Sequence, residues 1–327
     1  MQRVLAGVDL GGTSIKAAIA DESGAVLAQR SAPTESHRGP LAVLTIIGDL
    51  VETLAAEAGA QVQAIGVGVP GLIDIDSGVT RFLPNFTTHW RNVPVGPTLA
   101  KRFDCPVRLL NDVRTATLGE LRFGHGKERP HLTLLFFALG TGVGGGVVVD
   151  GVLRRGPLGA AGELGHMVME PQGAPCGCGS RGCLETISSG PAIAAEGVRL
   201  LRTGMAPKLH ELVGGNADRI STKEMAEAAA EGDNHVALAI TRAAEVLGLA
   251  AANLVSALHP DLVVLGGGVA EMGEPIFGPV RRVIREQVKM FPTDNVQVEP
   301  SLLKDKAGVL GAIALAQEAA AEAAQND

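Results

Sequence analysis

The first half of the chain alternates between short apolar runs typical of strands and one longer run with helical spacing. The opening run is followed by an alternating segment and a third apolar segment, so it predicts a three-stranded β-meander with a glycine corner at residues 11–13. Apolar residues recur at helical spacing later in this half, and a strand leads directly into a helix at Asn111 and Asp112. We predict strands at 4–10, 15–20, 25–31, 62–69 and 107–110, a strand and hairpin after 71, and a helix at 40–58.

The second half repeats the opening pattern about 130 residues further along the chain. A strand at 132–139, a glycine turn at 140–146 and a continuing strand at 147–149 reproduce the first strand, corner and strand. A tight turn at 150–151 then leads into a third strand, VLRRG, as in the first half. Such a long period indicates duplication of a whole α/β unit and not a short solenoid repeat. We expect the two glycine corners to face each other across a cleft. The remaining predictions are a strand at 261–265 and helices at 192–203, 222–231, 235–257, 275–290 and 307–323.

Composition changes this picture in two ways. Aromatic residues make up 3% of the 327 residues, with one Trp and no Tyr, so the core must be built from aliphatic side chains. The net charge of −7 weighs against a nucleic-acid-binding protein, which would present a basic face. The chain has no run of 18 apolar residues and no secretory signal pattern, so we expect a cytoplasmic protein without a membrane partner.

Three of the four cysteines and one histidine lie within eighteen residues. His166, Cys176, Cys178 and Cys183 are a complete ligand set for a closed tetrahedral zinc site, and the glycines between them allow the necessary tight turns. The spacing is not that of a zinc finger. The alternatives are buried structural thiols, or a disulfide with one free cysteine, but an odd number of local thiols fits a metal better.

Two carboxylates flank this proposed metal loop. Glu163 lies three residues before His166, and Glu185 lies two residues after Cys183. A zinc ion that fixes the loop would hold both carboxylates rigidly, so that they could accept hydrogen bonds from a polyhydroxylated ligand. The alternative is that both are solvated surface charges, as most glutamates are.

Three glycine-rich turns are candidates for nucleotide binding. Two matches to G-x-G-x-x-G, beginning at 66 and 140, are followed by strands, whereas a dinucleotide fold requires a helix there. No P-loop motif is present. Small residues nevertheless allow backbone N–H groups to approach phosphate oxygens. We therefore predict a phosphate site at Gly11, Gly12, Thr13 and Lys16 with a hydrated Mg²⁺ on Asp9, a matching loop at Thr141 and Gly142, and an adenosine site at Gly267 and Gly268.

Asp112 is the candidate general base. Phosphoryl transfer to an alcohol needs a carboxylate that accepts the hydroxyl proton. Asp112 follows a strand and opens a helix, so its side chain should emerge at the edge of a sheet. The neighbouring Asn111 carries both a donor and an acceptor, as a sugar requires. The alternative is that Asp112 serves only as the N-cap of its helix.

These motifs together resemble the ROK (repressor, ORF, kinase) family. The resemblance extends over the whole chain and rests on DLGGT at 9–13, ND at 111–112, GTGVGGG at 140–146, GELGH at 162–166 and CGCGSRGCLE at 176–185. Within the family the chain is most similar to bacterial ATP-dependent glucokinases.

The resemblance implies an α/β, actin-like, duplicated two-domain fold of the sugar kinase, Hsp70 and actin type, with ATP and sugar in the interdomain cleft. We expect a small domain of 1–115 plus 305–327 and a large domain of 116–304 that carries the zinc loop. It also implies a homo-oligomer, either a dimer or a tetramer.

The resemblance further assigns roles to individual residues. Asp112 would be the base on the sugar 6-hydroxyl, and Asp9, Gly11, Gly12, Thr13, Thr141 and Gly142 would surround the phosphates and Mg²⁺. Five residues would hold the other hydroxyls, the zinc histidine among them: Asn85, Asn111, Glu163, His166 and Glu185. One departure is the sequence FTTHW after Asn85, where the family often has a short glycine-containing link to Trp.

The expected function is therefore phosphorylation of glucose by ATP, with Mg²⁺ and a structural Zn²⁺. A kinase for N-acetylmannosamine, N-acetylglucosamine, fructose or allose is an alternative on the same scaffold. A sugar-sensing ROK repressor is a third possibility, but such repressors carry a DNA-binding domain before the DLGGT strand. Eight residues precede Asp9 here and the chain is acidic, so we expect a kinase and no nucleic-acid partner.

Overall fold

The computed structural model describes residues 2–326 except for 84, 85, 87 and 89. Every strand and helix predicted above is present, with ends that differ by a few residues. The elements up to residue 123 are β1 (Gln2–Leu10), β2 (Ser14–Ala20), β3 (Val26–Pro33), α1 (Pro40–Glu57), β4 (Ala60–Val69), β5 (Leu72–Asp74), β6 (Val79–Phe82), α2 (Val95–Phe103), β7 (Val107–Asn111) and α3 (Asp112–Phe123).

The rest of the chain contains the second sheet and most of the helices. Its elements are β8 (Leu134–Leu139), β9 (Val143–Val149), β10 (Val152–Leu153), α4 (Glu185–Ser188), α5 (Gly190–Arg202), α6 (Pro207–Val213), α7 (Thr222–Ala230), α8 (Asn234–Leu258), β11 (Leu262–Gly266), α9 (Glu274–Gln287), β12 (Gln297–Pro300) and α10 (Ala307–Asn326). The hydrophobic pattern of the sequence does not predict α2, α4, α6 or β12.

One predicted turn is shorter than expected. The glycine turn predicted at 140–146 occupies only 140–142, because β9 already begins at Val143. Gly145 lies inside this strand, where the Leu164 side chain occupies the space that a β-carbon would need. Gly145 therefore leaves space for the Leu164 side chain and is part of a strand and not of a turn.

The chain forms two compact units. The first comprises Met1–Pro130, Gly151–Gly162 and Leu302–Asp327, and the second comprises His131–Asp150 and Glu163–Ser301. The helix α3 belongs to the first unit, together with the C-terminal helix α10. The domain limits given above stay a prediction.

The sheet of the first unit has the strand order β3-β2-β1-β4-β7. The strands β1, β2 and β3 form the predicted antiparallel meander, while β4 is parallel to β1 and β7 is parallel to β4. Carboxyl ends of parallel strands meet at one edge of a sheet, and this edge is where open α/β sheets bind ligands. Asp9, near the end of β1, and Asn111, at the end of β7, therefore lie on the same edge.

The sheet of the second unit repeats this arrangement. Its strands β9, β8, β11 and β12 follow the order of β2, β1, β4 and β7 in the first sheet. The strand β9 is antiparallel to β8, while β11 and β12 run parallel to it. The predicted duplication is thereby confirmed at the level of sheet topology.

The helix α10 packs against α3 at backbone contact distance, beside the edge of the first sheet that carries Asp9 and Asn111. A β-carbon at Gly311 would overlap the carbonyl oxygen of Thr115 in α3, and one at Gly308 would overlap the carboxylate of Asp9. Only glycine permits so close an approach. As a result, the first turn of α10 lies directly against Asp9.

The core of the second unit is built around α8. This helix buries aliphatic residues along its length, among them Val236, Ile240, Leu247 and Val255. Among the described residues it is the single helix whose length and composition would allow it to cross a membrane, and half of its apolar stretch is buried inside the unit. Such burial is typical of the core helix of a globular protein.

Candidate functional site

Asp112 is the first residue of α3, and it is not the cap of that helix. The N-cap is Asn111, whose side chain accepts hydrogen bonds from the backbone N–H groups of Val113 and Arg114. The alternative that Asp112 serves only as an N-cap is therefore excluded. One oxygen of its carboxylate, Oδ1, accepts a hydrogen bond from the Val113 backbone N–H at 2.9 Å at the edge of the first sheet.

The surroundings of Asp112 favour proton transfer near neutral pH. Withdrawal from water and the negative charge of Asp9 together raise the pKa of Asp112 to about 7, against the opposing effects of the Val113 backbone N–H and of Arg114. A general base is most effective when its pKa lies near the operating pH. Asp112 therefore has the acidity expected of a general base.

The amide of Asn111 has a fixed orientation. Its Oδ1 lies 3.0 Å from the Val113 nitrogen and 3.0 Å from the Arg114 Nη1 atom. Its Nδ2 donates to the carbonyl oxygen of Gly71 at 3.3 Å. The Oδ1 atom of Asn111 already accepts hydrogen bonds from residues of the first unit. The group that Asn111 offers to a ligand is therefore an N–H of its Nδ2 atom.

Thr34 fixes the backbone of the glycine corner between β1 and β2 through two hydrogen bonds. The buried Thr34 hydroxyl donates to the Gly11 carbonyl at 2.7 Å, and its backbone N–H donates to the Thr13 carbonyl at 3.0 Å. Gly12 and Thr13 are exposed. This corner therefore presents its outer backbone to solvent in a fixed shape.

Asp9 lies behind the same corner. Burial raises the pKa of Asp9, and the positive charge of Lys16 on the neighbouring strand opposes this effect. The ammonium group of Lys16 donates to the backbone carbonyl of Asp305 at 2.8 Å and lies 3.5 Å from its carboxylate. A withdrawn carboxylate beside an exposed glycine corner is a suitable arrangement for a hydrated cation and phosphate oxygens.

The four predicted zinc ligands come together in the second unit. The ligand atoms of His166, Cys176, Cys178 and Cys183 all lie within 4.8 Å of one another. The Cys178 and Cys183 sulfurs are 3.7 Å apart, and the Cys176 sulfur is 3.6 Å from the His166 Nδ1 atom. A tetrahedral zinc site with ordinary bond lengths requires separations of about 3.8 Å between sulfurs and about 3.5 Å between sulfur and nitrogen. The arrangement fits zinc, and the three thiols are free and form no disulfide.

The two nitrogens of His166 face different groups. Nδ1 is directed at the Cys176 sulfur, while Nε2 lies 3.9 Å from the Glu163 carboxylate. A histidine that binds metal through one nitrogen keeps the other for a second partner. The imidazole can therefore serve the metal and a ligand beside Glu163 at the same time.

Glu185 connects this cluster to the second glycine corner. Its Oε2 accepts a hydrogen bond from the backbone N–H of Val143 at 3.0 Å, and its Oε1 lies 3.8 Å from the Cys176 sulfur. The same carboxylate occupies the space where Gly142 would carry a β-carbon. Glu185 is thus a fixed carboxylate.

A cavity of 340 Å³ opens beside this corner in the second unit. Two of its lining residues, Thr141 and Gly268, are among the predicted nucleotide-binding residues. Gly267 does not line the cavity and instead packs against the carbonyl of Leu139. The cavity is lined by Gly140, Thr141, Gly190, Pro191, Ala194, Ile220, Ser221, Thr222, Gly268 and Val269.

Several residues of these sites escaped the sequence analysis. Thr34 and Arg114 carry no motif that would distinguish them from other polar residues. Ser221 does carry one, because it begins a capping box with Glu224 at the start of α7, and this box places Ser221 and Thr222 at the cavity. The remaining predicted sugar ligand, Asn85, lies outside the described residues.

Comparison with known proteins assigns the chain to a family. The family model of the ROK family matches residues 5–319. A glucokinase from Thermotoga maritima is 37% identical over 317 residues, which are 96% of this chain and 97% of the relative. A xylose repressor from Caldicellulosiruptor bescii is 33% identical over 94% of this chain and 77% of the repressor.

Solved structures give the same result. The ROK family glucokinase from Streptomyces griseus in complex with glucose and AMPPNP has a TM-score of 0.80 and 34% identity, with 96% of this chain and 99% of that chain covered. The ROK hexokinase from Thermus thermophilus has a TM-score of 0.81 and 31% identity, with coverage of 98% and 99%. These likenesses confirm the predicted α/β, actin-like fold. The chain belongs to the ROK family.

Proposed function

We propose that this protein transfers the γ-phosphoryl group of ATP to the 6-hydroxyl of glucose. The observation that supports this most directly is Asp112, a carboxylate at the ligand-binding edge of its sheet whose pKa is raised to about 7. A neutral sugar hydroxyl is a weak nucleophile, and a base that accepts its proton as the new O–P bond forms speeds the transfer. A base of this acidity contributes about 10²–10⁴ in rate.

Binding of the sugar is assigned to groups that hydrogen-bond hydroxyls. Asn111 donates an N–H, and the carboxylates of Glu163 and Glu185 accept hydrogen bonds from sugar hydroxyls. The Nε2 atom of His166 is the fourth group, since its Nδ1 faces the cysteines. The proposal also includes Asn85, on the basis of the family resemblance.

The phosphates are assigned to the two glycine corners. The first corner supplies the backbone of Gly11 and Gly12 with the Thr13 hydroxyl, and Lys16 adds positive charge nearby. Asp9 would hold Mg²⁺ through water. Magnesium, when bound, neutralises charge on the phosphates.

The second corner contributes Thr141 and Gly142, and the cavity beside it would take the nucleoside. This cavity has bare backbone at Gly190 and Gly268 and hydroxyls at Ser221 and Thr222. Walls of small residues suit a base, and the Thr222 hydroxyl suits a ribose, whereas the Ser221 hydroxyl is engaged with Glu224 and Lys223. Gly267 would act indirectly, by keeping the turn after β11 close to Leu139.

Zinc is proposed as a structural ion. His166, Cys176, Cys178 and Cys183 fill all four positions of a tetrahedral ion, so no position is left for water or substrate. When bound, the metal holds the loop, and the loop carries Glu185 and His166. The chain's own side chains then present the acceptors to the sugar.

The two alternatives differ in what they require. Kinases for N-acetylmannosamine and other hexoses would use the same base and phosphate sites and differ only at the sugar. A repressor needs no base, so the elevated pKa of Asp112 favours a kinase. We further propose a cytoplasmic homo-oligomer, a dimer or tetramer, whose partners are the sugar and ATP and not nucleic acid or a membrane.

The test is release of ADP from ATP in the presence of Mg²⁺ and glucose, followed by identification of the phosphorylated position. The proposal expects glucose 6-phosphate in amounts equal to the ADP formed. ADP release with another hexose but not glucose would support the alternative kinase. No sugar-dependent ADP release with any hexose would reject the kinase function altogether.

A further inference from the structure

Arg114 is a buried cation two residues after the proposed base. Its side chain is 1% exposed, and it lies in α3 at the ligand-binding edge of the first unit. Burying a charge costs several kcal/mol by general estimates and is tolerated only where hydrogen-bond acceptors surround it. Arg114 has such acceptors in two different parts of the unit, so its contacts define what it holds together.

The first contact fixes the amide of Asn111. The Arg114 Nη1 atom lies 3.0 Å from Oδ1 of Asn111. A guanidinium has only donors, so the amide atom that faces it must be the oxygen. The amide nitrogen is thereby forced to the other side, where it reaches the Gly71 carbonyl and keeps one N–H for a ligand. Without the guanidinium, the amide loses one reason to prefer this orientation.

The second contact holds residues 156–162. The Arg114 Nε atom donates to the Ala161 carbonyl at 2.7 Å, and Nη2 donates to the Ala160 carbonyl at 3.3 Å. This segment contains Leu158, a half-exposed residue in the left-handed region at φ 58°. Left-handed backbone is unfavourable for a leucine and persists only where neighbouring contacts impose it. Arg114 supplies such contacts directly beside the turn.

We propose that Arg114 is a positioning residue for sugar binding, which holds the Asn111 amide with its N–H available to the sugar and ties residues 156–162 to the start of α3. The sugar-binding half of this proposal rests on the proposed function. We assign Arg114 no contact with substrate: it acts on sugar binding through Asn111, and its effect on the pKa of Asp112 is kept small by measuring binding well above that pKa. Its loss should therefore weaken sugar binding only as long as Asn111 is present.

The experiment compares Arg114→Met, which keeps a long apolar side chain, with Arg114→Lys, which keeps the charge but has a single donor centre. Arg122→Met is the matched control, because Arg122 lies on the same helix, is exposed, and is 4.0 Å from its partner Glu318. The dissociation constant for glucose is measured by calorimetry at pH 8.5, where Asp112 is mostly ionised. We expect a rise of about tenfold for Arg114→Met, a smaller rise for Arg114→Lys and less than twofold for Arg122→Met.

A double-mutant cycle separates positioning from a merely structural role. In an Asn111→Ala background, Arg114→Met should change the dissociation constant by less than twofold, because the amide through which it acts is gone. A tenfold loss in both backgrounds would overturn the proposal. If Arg114→Met does not fold, Arg114→Lys takes its place in the cycle, and wild-type affinity in that variant would overturn the proposal as well.

A second readout does not depend on any sugar. The Ala161 backbone N–H, within the held segment, donates to the carbonyl of Arg155 just before that segment at 2.9 Å. We expect its hydrogen exchange to be at least tenfold faster in Arg114→Met than in Arg122→Met. Unchanged exchange would refute the tie to residues 156–162. If the wild-type protein bound and phosphorylated no sugar, the proposed function would be rejected. The exchange measurement would still test whether Arg114 holds residues 156–162 in place.

Discussion

The carboxylate of Glu185 accepts a hydrogen bond from the backbone N–H of Val143 at 3.0 Å. Glu185 stands two residues after the last cysteine of the metal cluster, and Val143 is the first residue of β9. One bond therefore connects the proposed zinc loop to the proposed phosphate corner within the second unit. A single residue can in this way influence both the sugar and the nucleotide.

The first prediction concerns the charge of Glu185. Glu185→Gln keeps an oxygen that can accept from Val143 but removes the negative charge. Hydrogen bonds to charged groups contribute about 1.5–3 kcal/mol, so the dissociation constant for glucose should rise at least tenfold. Zinc content should stay the same. Glu170→Gln is the control, because Glu170 lies in the same loop and pairs with Arg242 at 3.0 Å. Equal affinities in the two variants would contradict a role for Glu185 in binding the sugar.

The second prediction concerns the base. Asp112→Asn preserves shape but cannot accept a proton, so kcat should fall by about 10²–10⁴ while glucose still binds. In the wild type, kcat/KM should rise with pH through about 7, because the pKa of Asp112 is raised to about 7 and the ionised form is the active one. Steady-state kinetics from pH 5.5 to 9 provide the measurement. Asp104→Asn, at an exposed position in the same unit, should behave as the wild type. A variant Asp112→Asn with normal kcat would show that the base lies elsewhere.

The third prediction follows from the same pKa but concerns stability. The pKa of Asp112 is raised from 3.8 to about 7 in the folded protein, so between these values the folded state holds a proton that the unfolded chain has released. The stability of the wild type is therefore lost as pH rises through this window, by up to about 1.4 kcal/mol per pH unit. Asp112→Asn lacks this group. The unfolding free energy of Asp112→Asn minus that of the wild type should therefore become more positive from pH 5 to pH 8. Urea unfolding at both pH values is the measurement, and a constant difference would argue against the elevated pKa.

These predictions also show how far the sequence alone could go. Strand periodicity was sufficient to find both sheets, because the core is aliphatic and each strand stands between clear turns. The helix α2 was not found, because Gly96 and Pro97 in its first turn are typical of loops. The strand β12 was not found either, because it is short and only Val298 of its four residues is buried.

The chemistry of the site is predictable from the sequence only where a local pattern of residues marks it. Clustered cysteines and an Asp at a strand end are local signals, and the structure brings the cysteines together as the spacing indicated. The occupied acceptor of Asn111 depends on Arg114 and on the fold around Gly71, and no local pattern records such contacts. Thr34 supports the first glycine corner from a position 23 residues away from Gly11. Tertiary contacts of this kind appear only in the structure.

The fourth prediction concerns the metal. Cys178→Ser removes one thiolate, so purified protein should lose its zinc and its affinity for glucose together, because the loop that carries Glu185 is no longer fixed. Elemental analysis and glucose calorimetry are the two measurements. Cys105→Ser is the control, since Cys105 lies in the first unit and is free. Active wild-type enzyme without zinc would refute the structural role of the metal.

The last prediction concerns the choice of sugar. A pocket that hydrogen-bonds a hydroxyl discriminates against an analogue without it, because buried polar groups then stay unpaired. We assign Glu163, His166 and Glu185 to the side of the sugar that carries its 1- and 2-positions, so 2-deoxyglucose should be a poorer substrate than glucose. Galactose, inverted at the 4-position, should fail because the N–H of Asn111 would lose its acceptor.

The chain also offers no stretch that plainly provides an apolar or amide-pairing wall for an N-acetyl group at the 2-position. We therefore expect glucose to be the best substrate and mannose the second, with N-acetylglucosamine and N-acetylmannosamine weak. The measurement is kcat/KM for these four sugars, galactose and 2-deoxyglucose at one ATP concentration. An N-acetyl sugar that exceeded glucose tenfold, or about 1.4 kcal/mol in transition-state binding, would exclude glucose as the preferred substrate. The assignment of Asp112 as the base would be unaffected, because it depends on the 6-hydroxyl that these sugars share.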